Sequence, residues 1–157
     1  MGVGKEMKEK LLKIRIQQCN LLAQASSCSR RKVSAQILDP ITNSILSEGF
    51  NGNPRGAKGD LCGGDICLRD KYQVASGTQN DVGCHHAEMN AILNACRLGQ
   101  ATQGKILIVN CDPCLMCAKA IHHAGIQQVF CPMDYQNGVH NSGLEYLKEN
   151  GIDLEKI

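Results

Sequence analysis

The sequence has few aromatic residues and no tryptophan, and this scarcity excludes some classes of function. Its aromatic side chains are three tyrosines and two phenylalanines among 157 residues. Proteins that bind single-stranded nucleic acids usually stack the bases on aromatic side chains, so we expect no such surface. The formal net charge of +2 gives no electrostatic reason to expect a nucleic-acid partner either.

Long apolar runs are also missing. No stretch of the sequence is apolar for long enough to span a bilayer, so no membrane contact is expected. The first residues are charged and periodic, and they lack the apolar core of a signal peptide. We therefore expect a cytoplasmic protein, located in the host cytoplasm if its source is a virus. The length suits one domain, residues 1–157.

Cysteine, in contrast, is abundant, with ten residues in this short chain. Disulfides persist mainly in secreted proteins, whereas cysteine clusters in cytoplasmic proteins more often bind metals. Because no secretory signal is visible, we favour metal ligation as the role of some of these thiols.

Hydrophobic periodicity predicts strands that alternate with helices in the second half of the chain. Helices are expected at 5–25, 86–98, 114–124 and 142–150. Strands are expected at 32–39, 44–50, 105–110 and 128–131, with 152–157 as a further strand. Residues 51–83 show little periodicity, and a loop of this length is usually functional or disordered. This order of elements indicates a sheet covered by helices.

Two short motifs carry the chemistry: H-A-E, with His86 and Glu88, and P-C-x-x-C, with Cys114 and Cys117. One imidazole and two thiolates leave one position of a tetrahedral zinc ion for water. Glu88 remains as a proton carrier beside the ion. The two motifs in this order are the signature of zinc-dependent nucleobase deaminases, and Pro113 before the first cysteine belongs to it.

The spacing within each motif predicts the geometry of the site. Cys114 and Cys117 are three residues apart and therefore share one face of a helix, whose first turn lowers the pKa of a thiol. His86 and Glu88 are two residues apart and would point to nearly opposite sides of a regular helix. Both can address one ion only if His86 lies at the start of its helix. We therefore expect the ion beside the N-termini of two helices.

In this arrangement Glu88 would take a proton from a zinc-bound water and deliver it to the base. The resulting hydroxide would attack C4 of cytosine, and ammonia would leave. The alternative is a structural zinc site in a non-catalytic module, which needs a fourth protein ligand. The neighbouring Cys111 or His85 could provide one.

Beyond these motifs, the chain resembles the deoxycytidylate (dCMP) deaminases over nearly its whole length. The segments that carry the resemblance are C-S-R-R-K-V-S-A at 28–35, G-F-N-G-N-P-R-G at 49–56, H-A-E-M-N-A-I at 86–92 and P-C-L-M-C-A-K-A-I at 113–121. The second segment distinguishes this group from transfer-RNA adenosine deaminases. A deaminase of another base, adenosine or guanine, is the alternative.

The resemblance implies an α/β fold like that of cytidine deaminase: a three-layer α-β-α sandwich with a mixed sheet of about five strands and helices on both faces. It also implies hydrolysis of dCMP to dUMP, which feeds thymidylate synthesis, with Zn²⁺ as the cofactor. A homohexamer is expected, activated by dCTP and inhibited by dTTP, with Mg²⁺ accompanying the triphosphate.

The resemblance also implies a set of nucleotide-binding residues. The effector region is expected at Gly49, Phe50, Asn51 and Gly52, although Asn51 also corresponds to a residue that contacts the substrate sugar. Phe50 replaces the usual tyrosine and lacks its hydroxyl. Among the basic and aromatic residues, the candidates for phosphates and for the pyrimidine or its sugar are Arg30, Arg31, Lys32, Arg55 and Tyr135. A solvated basic loop and an ordinary tyrosine are the alternatives.

A second, structural zinc occurs in some members of the family. Cys28, Cys62 and Cys84 fall where one family pattern has cysteine ligands, and Cys67 could complete a set of four thiolates. Such a metal would fix the shape of the long polar loop. The alternative is that these are free thiols.

Overall fold

The computed structural model describes residues 2–59, 62, 66–78, 80–134 and 142–157, with the backbone alone for 2–7. The predicted nucleotide contact Tyr135 lies outside these ranges. The helices are α1 (Gly2–Leu22), α2 (Leu68–Lys71), α3 (Ala87–Arg97), α4 (Leu115–His123) and α5 (Ser142–Glu149). The strands are β1 (Ser34–Leu38), β2 (Ile45–Phe50), β3 (Ile106–Val109), β4 (Gln128–Cys131) and β5 (Asp153–Lys156).

The five strands form one mixed sheet in the order β2-β1-β3-β4-β5. Strand β1 is antiparallel to both β2 and β3, whereas β3, β4 and β5 are parallel to one another. The parallel strands are joined through α4 and α5, as parallel pairing requires. The predicted mixed sheet of about five strands is thereby confirmed.

The side chains of the central strands alternate between two apolar layers. Leu107 and Val109 face a core built with α3, α4 and α5, whereas Ile106 and Ile108 face the opposite side. Leu12 of α1 packs on that opposite side. Helices therefore cover both faces of the sheet, which confirms the three-layer α-β-α sandwich.

Most predicted elements are present, and their ends differ from the predicted ones by only a few residues. The exception is the loop at 51–83, which contains the unpredicted helix α2. Four residues are too few to produce a periodic pattern, so sequence periodicity could not have found this helix. None of the helices in the described ranges is long and apolar enough to cross a bilayer.

Helix α3 is bound closely to strand β2. A Cβ atom on Gly49 would lie 2.6 Å from the backbone nitrogen of Ala91, so only glycine permits this approach. Asn90 Nδ2 donates to the carbonyl oxygen of Phe50 at 2.8 Å, and Asn94 Nδ2 donates to that of Glu48 at 2.9 Å. These contacts fix the helix against the edge strand and so determine where its first turn lies.

Candidate active site

Helices α3 and α4 begin next to each other, and the predicted metal ligands lie at these two starts. His86 is the N-cap of α3 and Cys114 is the N-cap of α4, both with extended backbone conformations. His86 therefore lies outside the regular turns, as the spacing of His86 and Glu88 required. Cys117 follows in the first turn of α4, and its backbone N–H donates to Cys114 Sγ at 3.5 Å.

The three donor atoms have the spacing of a tetrahedral zinc site. His86 Nδ1 lies 3.5 Å from Cys114 Sγ and 3.4 Å from Cys117 Sγ. Zinc bonds of roughly 2.3 Å to sulfur and 2.0 Å to nitrogen, at the tetrahedral angle, would separate these atoms by about 3.5 Å. The donor set and its spacing therefore fit zinc, and the ligand atom offered by His86 is Nδ1.

The metal-free donors share protons among themselves. The hydrogen bond from the Cys117 thiol, followed by the bond with His86, lowers the pKa of Cys114 to about 4 despite its burial. The same bond to Cys114, reinforced by burial, raises the pKa of Cys117. The two thiols thus share one proton between them, and a divalent cation bound here would favour both as thiolates.

Glu88 lies in the first turn of α3, with only 4% of its surface exposed. Burial is the largest influence on this carboxyl and raises its pKa to about 7. Its charge interacts with His86 and Cys114, which places it beside the donor set without belonging to that set. A carboxyl group that titrates near neutral pH can both accept and donate a proton in the working range of an enzyme.

Two residues had been considered as a fourth protein ligand, and neither joins the donor set. His85 Nδ1 faces Asn90 Oδ1 at 3.2 Å, and its backbone pairs with Gly52. Cys111 Sγ donates to the carbonyl oxygen of Asp112 at 3.6 Å. The described part of the chain therefore supplies three ligands rather than four, which disfavours a purely structural site.

A cavity of about 250 Å³ opens onto His86, Glu88 and Cys114. Its remaining wall comes mainly from the segments before and within the long loop. The polar residues of that wall are Arg30, Arg31, Asn51, Arg69, Ser76, Thr78, Asn80 and Asp112. The cavity thus places a zinc-binding set, a buried carboxyl and several cationic or hydroxyl side chains around one space.

Only some of the predicted nucleotide contacts line this cavity. Arg31 and Asn51 line it, whereas Lys32 and Arg55 are exposed and do not. The amide of Asn51 is occupied by the backbone, because its Oδ1 accepts from the Val33 N–H at 2.9 Å and its Nδ2 donates to Arg31.

The other residues of the effector segment, Gly49, Phe50 and Gly52, lie outside the cavity lining. Gly49 serves the packing of α3 on β2, and Gly52 pairs with His85. Phe50 leaves 38% of its surface exposed at the end of β2. The sequence interpretation missed Arg69, which does line the cavity. Its only signal in the sequence was its position two residues after Cys67.

The four remaining loop-associated cysteines also approach one another. Burial, followed by the neighbouring thiols of Cys84 and Cys28, raises the pKa of Cys62 to about 12. The charge of Cys67 in turn acts on Cys84. Cys28 Sγ accepts a hydrogen bond from the Arg31 N–H at 3.4 Å. Cys62 thus lies near Cys28 and Cys84, but among the described residues the only three or more donor atoms that all lie within 4.8 Å of one another are those of His86, Cys114 and Cys117.

Comparison with known proteins agrees with this geometry. The family described as the cytidine and deoxycytidylate deaminase zinc-binding region matches residues 9–133. The chain is 33% identical over 140 residues to ComE operon protein 2 of Bacillus subtilis, covering 89% of this chain and 67% of that protein. It is also 33% identical over 144 residues to the deoxycytidylate deaminase of Schizosaccharomyces pombe. That match covers 90% of this chain but only 42% of the yeast protein.

A solved structure shares the complete fold. The crystal structure of dCMP deaminase from the cyanophage S-TIM5, in complex with dCMP and dUMP, matches with a TM-score of 0.73 and 27% sequence identity. The match covers 94% of this chain and 97% of the phage chain. The relationship thus extends over the sheet, both helix layers and the segments that carry the metal ligands.

The donor set predicts that substitutions at two neighbouring cysteines have different effects on the zinc content. We expect Cys114→Ala to lower the zinc content by one ion per chain, because the remaining histidine and single thiolate bind zinc weakly. Cys111→Ala, three residues earlier, should leave the zinc content of the parent unchanged. Atomic emission analysis after dialysis against a weak chelator measures both. Loss of an ion from Cys111→Ala would instead indicate a site with four protein ligands.

Proposed function

The chain belongs to the cytidine and deoxycytidylate deaminase family, and from this premise we propose that it hydrolyses dCMP to dUMP and ammonia. It is a zinc-dependent hydrolytic deaminase by family, fold and donor set. The observation that carries the deamination chemistry is the position of the buried Glu88 beside His86 and Cys114 on one cavity. The match to a phage dCMP deaminase with dCMP and dUMP bound supports it.

The reaction adds water across C4 of the cytosine ring and expels the amino group. Zinc held by His86, Cys114 and Cys117 would supply Lewis acidity, which makes a water molecule nucleophilic near neutral pH. The Glu88 carboxylate accepts a proton from that water while oxygen bonds to C4. The protonated carboxyl gives this proton to ring N3, then takes the second proton from the added hydroxyl and delivers it to the amino nitrogen, which leaves as ammonia as the C4 carbonyl of dUMP forms.

The environment of Glu88 suits this double role. An exposed glutamate is a carboxylate at neutral pH and is poor at returning a proton. Burial raises the pKa of Glu88 to about 7, so both protonation states lie within reach during turnover. Its place in the first turn of α3 also keeps it close to His86, two residues earlier.

Feedback control is a further part of the proposal. By resemblance, we expect a homohexamer that dCTP activates and dTTP inhibits, with Mg²⁺ bound to the triphosphate, in a cytoplasmic enzyme that feeds thymidylate synthesis. The segment expected to bind the effectors ends strand β2, and the partly exposed ring of Phe50 is available there. Because Gly49, Asn51 and Gly52 are engaged in packing and backbone bonds, Phe50 is the better candidate for direct contact.

A second zinc is proposed at Cys28, Cys62, Cys67 and Cys84. The interactions of Cys62 with Cys28 and Cys84, and of Cys67 with Cys84, support it. Four thiolates around zinc form a closed structural site, without a position for substrate. Such a site would cross-link the long loop to the segments before β1 and α3. The loop is polar and has little apolar core of its own that could hold it in place.

The proton-transfer role predicts the outcome of one isosteric change. Glu88→Gln should lower kcat for dCMP by about 10³-fold, because the amide cannot carry the proton. Zinc content should be unchanged, since Glu88 is not a ligand. The exposed Glu145→Gln on α5 is the matched control and should keep full activity. The decrease in ultraviolet absorbance of dCMP measures turnover.

Two results would contradict this function. Full activity of Glu88→Gln would contradict the proton-transfer role of Glu88. Absence of dCMP turnover by zinc-loaded parent protein, combined with turnover of adenosine or guanine, would reassign the substrate.

The control proposal predicts opposite effects of two triphosphates. With Mg²⁺ and dCMP below saturation, dCTP should raise the rate several-fold and dTTP should lower it. The same concentration of dATP with Mg²⁺ controls for chelation and ionic strength. Light scattering after size-exclusion chromatography should give the mass of six chains. Identical rates with all three triphosphates would refute the proposed feedback control. A stable monomer would refute the proposed hexamer.

The second zinc predicts two ions per parent chain. Cys62→Ala should retain one ion and unfold at a lower temperature, because the loop loses its cross-link. Cys96→Ala, an exposed position on α3, should retain two ions and the parental unfolding temperature. A single ion per parent chain, with full dCMP turnover, would exclude the second site.

A further inference from the structure

We propose that Arg69 binds the 5′-phosphate of the substrate and thereby selects dCMP over the unphosphorylated deoxycytidine. This inference rests on the proposed function, and it assigns a specificity-determining role to a residue of the loop helix α2. A nucleotide whose base lies against Glu88 must place its phosphate elsewhere in the same cavity. The wall that contains Arg69 supplies the positive charge for it.

Arg69 lies close to the metal-binding set. It lines the cavity together with His86 and Glu88. The guanidinium and the metal-binding set therefore face the same cavity of about 250 Å³.

The charge of Arg69 has no acidic partner among the described residues. Its Nη2 donates to the carbonyl oxygens of Thr78 at 2.6 Å and Ala75 at 3.5 Å, and both acceptors are neutral. In the described part of the chain no other atom of this guanidinium forms a hydrogen bond or an ion pair. The remaining N–H groups are thus left to meet an anion, and a phosphate accepts two of them in parallel.

The neighbouring arginine differs in its partners. Arg30 Nε pairs with Asp70 Oδ1 at 3.5 Å, and its Nη2 donates to Ser76 Oγ at 2.7 Å. Arg30 therefore links α2 to the turn that holds Arg69, so its main role is to position that turn. Its enclosed Nη1 has no acceptor among the described residues, which adds a second unpaired cationic donor to this wall.

The loop is shaped to hold Arg69 in place. Gly83 has φ +112°, and a Cβ atom there would lie 3.0 Å from the Arg69 Cγ, so the glycine leaves room for the aliphatic part of the side chain. The carbonyl oxygens at Ala75 and Thr78 fix one edge of the guanidinium. A cation fixed before the ligand arrives loses little conformational freedom on binding.

Removing the charge of Arg69 should lower activity on the nucleotide dCMP and leave activity on the nucleoside deoxycytidine nearly unchanged. Arg69→Gln should lower kcat/KM for dCMP by about 10²-fold, mainly through KM, because charge-assisted bonds to the phosphate are lost. Turnover of deoxycytidine, which has no phosphate, should change by less than about 3-fold. Arg69→Lys should recover part of the dCMP activity, because it keeps the charge and loses the paired geometry.

Arg97→Gln is the matched control, since it removes the same charge from an exposed position at the end of α3. Inorganic phosphate supplies an independent measurement. It should compete with dCMP in the parent and in Arg97→Gln, and this competition should disappear in Arg69→Gln. Zinc content is measured in every variant, and equal content shows that the metal-binding set is intact.

The results separate this inference from the function on which it rests. If the parent turns over dCMP while Arg69→Gln keeps the parental preference for dCMP over deoxycytidine, Arg69 is not the phosphate contact. Equal losses with both substrates, unrelieved in Arg69→Lys, would show a merely structural role and also overturn the inference. If the zinc-loaded parent has no activity on dCMP, the proposed function itself fails.

Discussion

The site depends on the convergence of two helix N-termini at one place in the fold. The first turn of a helix has unpaired N–H groups and the positive end of the helix dipole, and both stabilise anionic ligands. His86 and Cys114 occupy the two N-cap positions, where the backbone is still extended. Their side chains can therefore turn towards each other, and Cys117 joins them from the first turn of α4.

Different contacts hold each helix at this meeting point. On one side, the amides of Asn90 and Asn94 and the close approach at Gly49 fix α3 against β2. On the other side, α4 follows directly from the central strand β3. These contacts hold the donor atoms at the spacing of a zinc site, and a catalytic metal requires such preorganised ligands.

Sequence reasoning reached the parts of this arrangement that depend on local spacing. The separation of His86 and Glu88 by two residues was enough to predict a ligand at the helix start. Local spacing could not predict the roles of residues whose partners are distant in the sequence. Asn51 was expected to contact a nucleotide. Its side-chain amide instead forms hydrogen bonds with the backbone of residues 31 and 33, which no local sequence pattern reveals. Arg69 looks like any solvated loop cation until the fold places it beside His86.

The order of strands illustrates the same limit. Hydrophobic periodicity located each strand, because it reports which residues face a core. It does not report which strands are neighbours, so the antiparallel pairing of β1 with β3 followed only from family resemblance or from the structure. Gly49 is similar: a glycine in a strand signals a close approach, but not that the approaching element is the zinc helix.

The stretch between residues 134 and 142 is flanked by two attachments to the same ligand-bearing turn. Before it, the carboxylate of Asp112 accepts the backbone N–H groups of Met133 and Asp134. After it, Gly143 packs so closely on the backbone of Pro113 and Cys114 that no larger residue fits. The turn that carries Cys114 is therefore tied both to the segment after β4 and to the start of α5, so the position of this ligand depends on two later parts of the chain.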